Sequence, residues 1–189
     1  MSQKIKILLS IAGFVLLIVL AVIAYNALLE QVSPDIELAS GQGDIADADK
    51  QEAPDFMMED WDGNSIKLSD LIAGGKPVVL NFWASWCPPC KDEMPEFERV
   101  FQVFGEEVQF VMLNLIDGLR ETKETGAKYI MDQGFTFPVF FDTKRDGASA
   151  YGIRSIPTTL FIDKDGYIVA EAQGAIDEAT LRKGIDLIK

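Results

Sequence analysis

Trp86-Cys87-Pro88-Pro89-Cys90 holds the only two cysteines of this 189-residue chain. Its flanks constrain the fold more than any other stretch does. Before it, the apolar run Val78-Val79-Leu80-Asn81-Phe82-Trp83 reads as a buried strand. After it, Lys91-Asp92-Glu93-Met94-Pro95-Glu96-Phe97-Glu98-Arg99-Val100-Phe101 carries apolar residues at helical spacing. Strand, tight turn and helix together place Cys87 at a helix N-terminus, where unpaired N–H groups and the helix dipole stabilise a thiolate. Cys90 follows about one turn deeper, close enough to close a small disulfide ring. One residue pair can therefore cycle between dithiol and disulfide.

Other uses of a Cys-x-x-Cys pair fit poorly. Zinc wants four ligands, and the chain has no further cysteine and no histidine. Covalent haem attachment needs a histidine after the second cysteine, where Lys91 stands. A purely structural disulfide stays open, though the strand-before, helix-after setting favours redox chemistry. The lack of histidine also removes Ser-His and Cys-His nucleophiles and His-ligated metals. No internal repeat and no phosphate-cradling Gly-rich loop is visible. The formal charge of −13 argues against nucleic acid or an anionic membrane surface as a partner. Solubility alone accounts for such acidity.

Residues 1–29 read as a membrane anchor. Lys4 and Lys6 precede Ile7 to Ala24, eighteen residues without a charge, and Ala27-Leu28-Leu29 continue the apolar character. The lysines predict a cytoplasmic N-terminus and an external remainder. A cleaved signal peptide is the alternative, with Val22-Ile23-Ala24 as its cleavage site. No cysteine follows that could carry a lipid. Residues 30–52 hold seven acids (Glu30, Asp35, Glu37, Asp44, Asp47, Asp49, Glu52) against Lys50, and read as an acidic flexible linker. From Ala53 to Lys189 enough chain remains for one buried domain.

Within that domain strands and helices alternate. Asp62-Gly63-Asn64 marks a turn, followed by a strand at Ser65-Ile66-Lys67-Leu68 and a brief helix capped by Ser69 and ended by Gly74-Gly75. Pro95 interrupts the hydrogen-bond ladder of the helix after Cys87. Val108 to Leu115 is a second near-continuous apolar strand. A helix is expected over Glu121 to Gln133, a strand at Phe137 to Phe141, and a short helix at Ala148 to Tyr151. Thr158 to Ile162 and Tyr167 to Ala170 form a hairpin around Asp163-Lys164-Asp165-Gly166, and Asp177 caps a closing helix. The pattern gives an α/β fold with a mixed central sheet flanked by helices.

The chain resembles the membrane-anchored TlpA/ResA-like branch of extracytoplasmic thiol-disulfide oxidoreductases, which have the thioredoxin fold. The resemblance is carried by Val79-Leu80-Asn81-Phe82-Trp83-Ala84-Ser85-Trp86-Cys87-Pro88-Pro89-Cys90-Lys91-Asp92-Glu93-Met94-Pro95, by Phe135-Thr136-Phe137-Pro138, and by Gly152-Ile153-Arg154-Ser155-Ile156-Pro157-Thr158-Thr159. It implies a thioredoxin domain over 53–189 preceded by one N-terminal transmembrane helix. It also implies that Cys87 is an exposed nucleophile, that Cys90 is the buried resolving thiol, and that Pro157 is cis and lies against the disulfide. Trp86, Pro88, Pro89, Ile156 and Pro157 are the substrate-binding residues it implies. The peroxide-reducing relatives of the fold need a Thr or Ser where Ala84 stands.

Glu93 matches the acidic residue that ResA-like proteins keep beside their cysteines. By spacing alone it is equally an ordinary solvated helix glutamate. A carboxylate there opposes thiolate formation and can pass protons as the disulfide opens. Asn81 stands where cytoplasmic thioredoxins keep a buried Asp. Pro88-Pro89 adds neither donor nor charge, which favours a reducing couple. The resemblance implies protein disulfides as substrates, apocytochrome c thiols or oxidised surface enzymes such as methionine sulfoxide reductases among them. It further implies a membrane electron donor of the CcdA/DsbD type, with no cofactor beyond the Cys87–Cys90 disulfide. A disulfide-forming oxidase is the alternative enzyme, and a tethered peptide-binding or chaperone module with a structural disulfide the alternative outside catalysis.

Overall fold

The structure, a computed structural model, describes residues 20, 36–38 and 51–189. The expected N-terminal membrane helix, residues 1–29, otherwise lies outside these. Among the described residues no helix is long and apolar enough to cross a membrane.

In chain order the elements are β1 (Ile36–Leu38), β2 (Gln51–Glu52), β3 (Met57–Glu59), β4 (Ser65–Lys67), α1 (Leu68–Ile72), β5 (Val78–Trp83), α2 (Pro88–Phe104), β6 (Gln109–Leu115), α3 (Lys123–Gln133), β7 (Val139–Asp142), α4 (Asp146–Ala150), β8 (Thr158–Ile162), β9 (Tyr167–Gln173) and α5 (Glu178–Ile188). One mixed sheet runs β1-β9-β8-β5-β6-β7-β3-β4, with β2 also on β9. The central neighbours β5, β6 and β7 are parallel, and β8 returns antiparallel on the other side of β5. This is the α/β arrangement around a mixed sheet that the alternation of elements predicts, and the thioredoxin fold that the resemblance implies.

Both faces of β5 are covered, so the whole strand is buried and all of it but Asn81 is apolar. Val78, Leu80 and Phe82 enter one core with Phe56, Met58 and Leu68. Val79 and Trp83 enter the other with Cys90, Met94 and Phe97 of α2 and Leu181, Ile185 and Ile188 of α5. Side chains alternate along a strand, so Asn81 joins Val79 and Trp83 on the face beneath α2. That register brings one buried amide under the redox helix.

The compact unit spans Ile36 to Lys189. Part of the segment expected as a linker thus belongs to the sheet: β1 pairs with Ala170 to Ala172, and β2 with Tyr167 and Ile168. Other differences are local. Ser69 does not cap α1; Lys67 holds that position, its N–H donating to Asp70 Oδ2 (3.2 Å), while the Ser69 N–H donates to Asp55 Oδ1 (2.9 Å). Helix α3 begins two residues later than expected, because Thr122 caps it by accepting from the Thr125 N–H at 3.2 Å. β7 starts only after Pro138, which has no N–H to give a ladder. Strand β3 carries no strand signal in the sequence, since Asp55-Phe56-Met57-Met58-Glu59 shows no period-2 alternation. Asp177 caps α5 as expected, accepting from the Thr180 N–H at 2.8 Å.

Candidate active site

The parallel strand β5 ends at Trp83, and the chain turns through Ala84-Ser85-Trp86 before α2 begins. The Cys87 N–H donates to the Ala84 carbonyl at 3.1 Å, which closes the turn. Cys87 is the N-cap of α2 and is disulfide-bonded to Cys90, with Cα atoms 5.3 Å apart. Both cysteines are buried. The resemblance implies an exposed Cys87; in this oxidised state the residue is only 2 % exposed, because its Sγ is bonded to Cys90 and lies 3.7 Å from the Ile156 carbonyl oxygen. The rim around it is open, with Trp86, Pro88 and Pro89 exposed and Ile156 half-buried.

A helix start normally offers the N–H groups of its first three residues. Here Pro88 and Pro89 occupy the first two positions and have none to offer. The Cys90 N–H, 3.2 Å from Cys87 Sγ, is what remains to the sulfur. The Ile156–Pro157 peptide bond is cis, as the resemblance implies, and Pro157 is buried beside the disulfide-facing carbonyl of Ile156.

Glu93, one turn beyond Cys90, is not a solvated helix residue. It is 1 % exposed, on the α2 face that meets β5. Asn81 Nδ2 donates to its Oε1 at 2.8 Å and the Ile176 N–H to its Oε2 at 3.0 Å. Burial pushes its pKa up to about 8, against the two hydrogen bonds, which act in the opposite direction. Asn81 Nδ2 also donates to Thr159 Oγ1 (3.0 Å), tying β5 to β8 under the same helix. A carboxyl that is mostly protonated at neutral pH and one helical turn beyond Cys90 has the chemistry to give a proton to a departing thiolate and take one back.

The model of the AhpC/TSA family matches residues 50–171, which hold the disulfide, Glu93 and Pro157. The chain belongs to this family. Within it, the chain is a thiol-disulfide oxidoreductase of the TlpA/ResA-like branch. It is 37 % identical over 139 residues to the thiol-disulfide oxidoreductase ResA of Bacillus subtilis, covering 73 % of this chain and 74 % of that one. Identity to the ResA of Halalkalibacterium halodurans is 36 %, covering 74 % and 76 % of the two chains. Among solved structures, a putative thiol:disulfide interchange protein DsbE from Chlorobium tepidum superposes with a TM-score of 0.63 at 30 % identity, over 72 % of this chain and 94 % of that one. StoA of Bacillus subtilis gives 0.60 at 28 % identity, over 69 % and 95 %.

One buried carboxylate escapes sequence reasoning. Glu121, expected as the first residue of a helix, lies outside α3 with no exposed surface. It accepts from the Ser85 N–H (2.9 Å) and from Asn114 Nδ2 (2.7 Å) on Oε1, and from the Ser85 hydroxyl (2.6 Å) on Oε2. The available signal was Thr122: a Thr cap leaves the residue before it outside the helix.

Proposed function

We propose that this oxidoreductase runs as a disulfide reductase outside the cytoplasmic membrane. Cys87 attacks a protein disulfide, Cys90 resolves the mixed disulfide, and Glu93 moves the accompanying proton. Trp86, Pro88, Pro89, Ile156 and Pro157 receive the substrate chain around the sulfur. The observation that carries the direction is the poverty of donors at Cys87 Sγ. Two prolines remove two of the three N–H groups a helix start supplies, and the Cys90 N–H alone remains among the described residues. A thiolate stabilised so little makes the reduced form a good electron donor. The buried Glu93 adds no cation to offset this.

The sequence supports the location. Ile7 to Ala24 is long enough to span a bilayer behind two lysines. A match to the ResA of Geobacillus kaustophilus, at 30 % identity, covers 93 % of this chain and so reaches into that segment. An electron donor of the CcdA/DsbD type would recharge the dithiol through the membrane, and apocytochrome c or oxidised surface enzymes would receive the electrons. Equilibration of the full chain with glutathione buffers tests the direction. A potential near thioredoxin's ~−270 mV is expected, and one near the ~−120 mV of strong oxidants overturns the reductase reading. The same protein carrying Cys90→Ala accumulates mixed disulfides, whereas Cys87→Ala accumulates none.

A further inference from the structure

Glu121 takes no part in the exchange chemistry, yet it is a fully buried carboxylate gripping the residue two places before Cys87. Burying a carboxylate costs several kcal/mol unless its partners replace water. Here three donors converge on it, and two of them, the N–H and the hydroxyl, belong to Ser85. Holding both groups of one residue fixes its backbone and its side-chain rotamer together. Ser85 lies inside the turn that the Cys87 N–H closes on Ala84, so its placement is passed directly to the sulfur-bearing residue.

The grip is itself anchored. Asp117 Oδ1 accepts from the N–H groups of Leu119 (2.9 Å), Arg120 (2.7 Å) and Glu121 (2.9 Å), and the N–H groups of Asp117 and Gly118 donate back to the Glu121 carbonyl at 3.1 and 3.0 Å. Asn114, on β6, ties the carboxylate to the sheet. A second contact comes from the same loop: the Arg120 guanidinium lies 3.9 Å from the centroid of the Trp86 ring. Two consecutive residues upstream of Cys87 are thus held by two consecutive residues of the β6–α3 loop, one pair underneath and one at the surface.

We propose that Glu121 is a positioning residue for thiol-disulfide exchange: by clamping Ser85 it sets the line along which Cys87 Sγ meets a substrate disulfide. Arg120, stacked on Trp86, steadies the same turn from the solvent side. Exchange needs three sulfurs nearly in line, so a loosened turn costs rate without changing which sulfur reacts.

This rests on the reading of Cys87 as the attacking sulfur, and the test separates the two. The reduced full chain is mixed with a peptide holding one internal disulfide, and the second-order exchange rate is followed beside the pH profile of iodoacetamide alkylation. Glu121→Ala is expected to slow exchange by about 10- to 100-fold, the range a misplacement near 1 Å costs, with its alkylation profile unmoved. Glu121→Gln can still accept from the Ser85 and Asn114 N–H groups while its own amide donates to the Ser85 hydroxyl. It should recover most of the rate. Should Glu121→Ala fail to fold, Ser85→Ala decides, with a smaller loss in the same direction. Wild-type exchange rates in Glu121→Ala, or in Ser85→Ala where that variant stands in, overturn the proposal. So does a Gln variant as slow as Ala with a displaced alkylation profile, since that result makes the effect one of charge. A wild-type chain that exchanges with no peptide disulfide overturns the reductase reading, and this one with it.

Discussion

At the scale of single residues, Glu93 changes meaning once its burial is known. Its position three residues after Cys90 suggests a charged neighbour that opposes the thiolate. Buried on the sheet-facing side of α2 with a pKa of about 8, it is instead mostly neutral at pH 7, and its charge opposes the thiolate only in more alkaline solution. The proton it holds has a thermodynamic signature. The folded state keeps that proton up to about pH 8, while the unfolded chain releases it near 4.5. The group's contribution is therefore complete below pH 4.5 and is lost as pH rises through 8, by about 4–5 kcal/mol at most. The chain has no histidine, and the lowered carboxylates, such as Asp117 at about 2, act only at lower pH, while burial also raises Asp142, which acts in the same direction as Glu93. Denaturant unfolding of the oxidised chain between pH 5.5 and 8 should thus show stability falling with pH. Glu93→Gln should flatten that slope. Its new amide can donate to Asn81 Oδ1, which has no partner among the described residues, once the Asn81 amide turns over from the orientation in which Nδ2 faces Glu93. A wild-type stability that stays level across this window removes the raised pKa and the proton-transfer role built on it.

At the scale of elements, β5, the turn and α2 are legible in the sequence because each depends on its own residues. Apolar continuity marks the strand, the prolines mark the first turn of the helix, and Asp177 caps the closing helix locally. Strand β3 and the burial of Glu121 depend on chain far away: Glu59 of β3 pairs with Phe141, and Glu121 with Ser85, 36 positions earlier. No local pattern records such partners. The same holds for Glu93, whose acceptance from the Ile176 N–H spans 83 positions. The helix start also yields a prediction. Pro89→Ala restores an N–H at the second helical position without adding charge or much bulk. A hydrogen bond to a charged group contributes about 1.5 kcal/mol or more, and about 1.4 kcal/mol corresponds to 30 mV for a two-electron couple. The variant's potential in glutathione buffers should rise by roughly 30 mV. An unchanged potential would mean that the N–H count at Cys87 does not set the poise.

At the scale of the whole molecule, charge and hydropathy divide the chain unevenly. The uncharged run Ile7 to Ala24 follows two lysines, whereas the acids gather beyond residue 30 and bring the total to −13. A strongly acidic domain is repelled by an anionic bilayer surface, so the proposed membrane attachment rests on the apolar run and not on the surface charge. The proposed extracytoplasmic location rests on the positive residues, which lie on the N-terminal side of that run. In cells making the full chain, the protein should therefore sediment with membranes and resist extraction by salt. A protease added to spheroplasts should digest the domain while the spheroplasts stay intact. Replacing Lys4 and Lys6 with Glu should weaken the orientation bias and lower the protected-to-digested contrast. Recovery of a soluble domain with a new N-terminus near Tyr25 would show that the segment is a cleaved signal. Protection of the domain in intact spheroplasts would place the disulfide in the cytoplasm and end the extracytoplasmic reading.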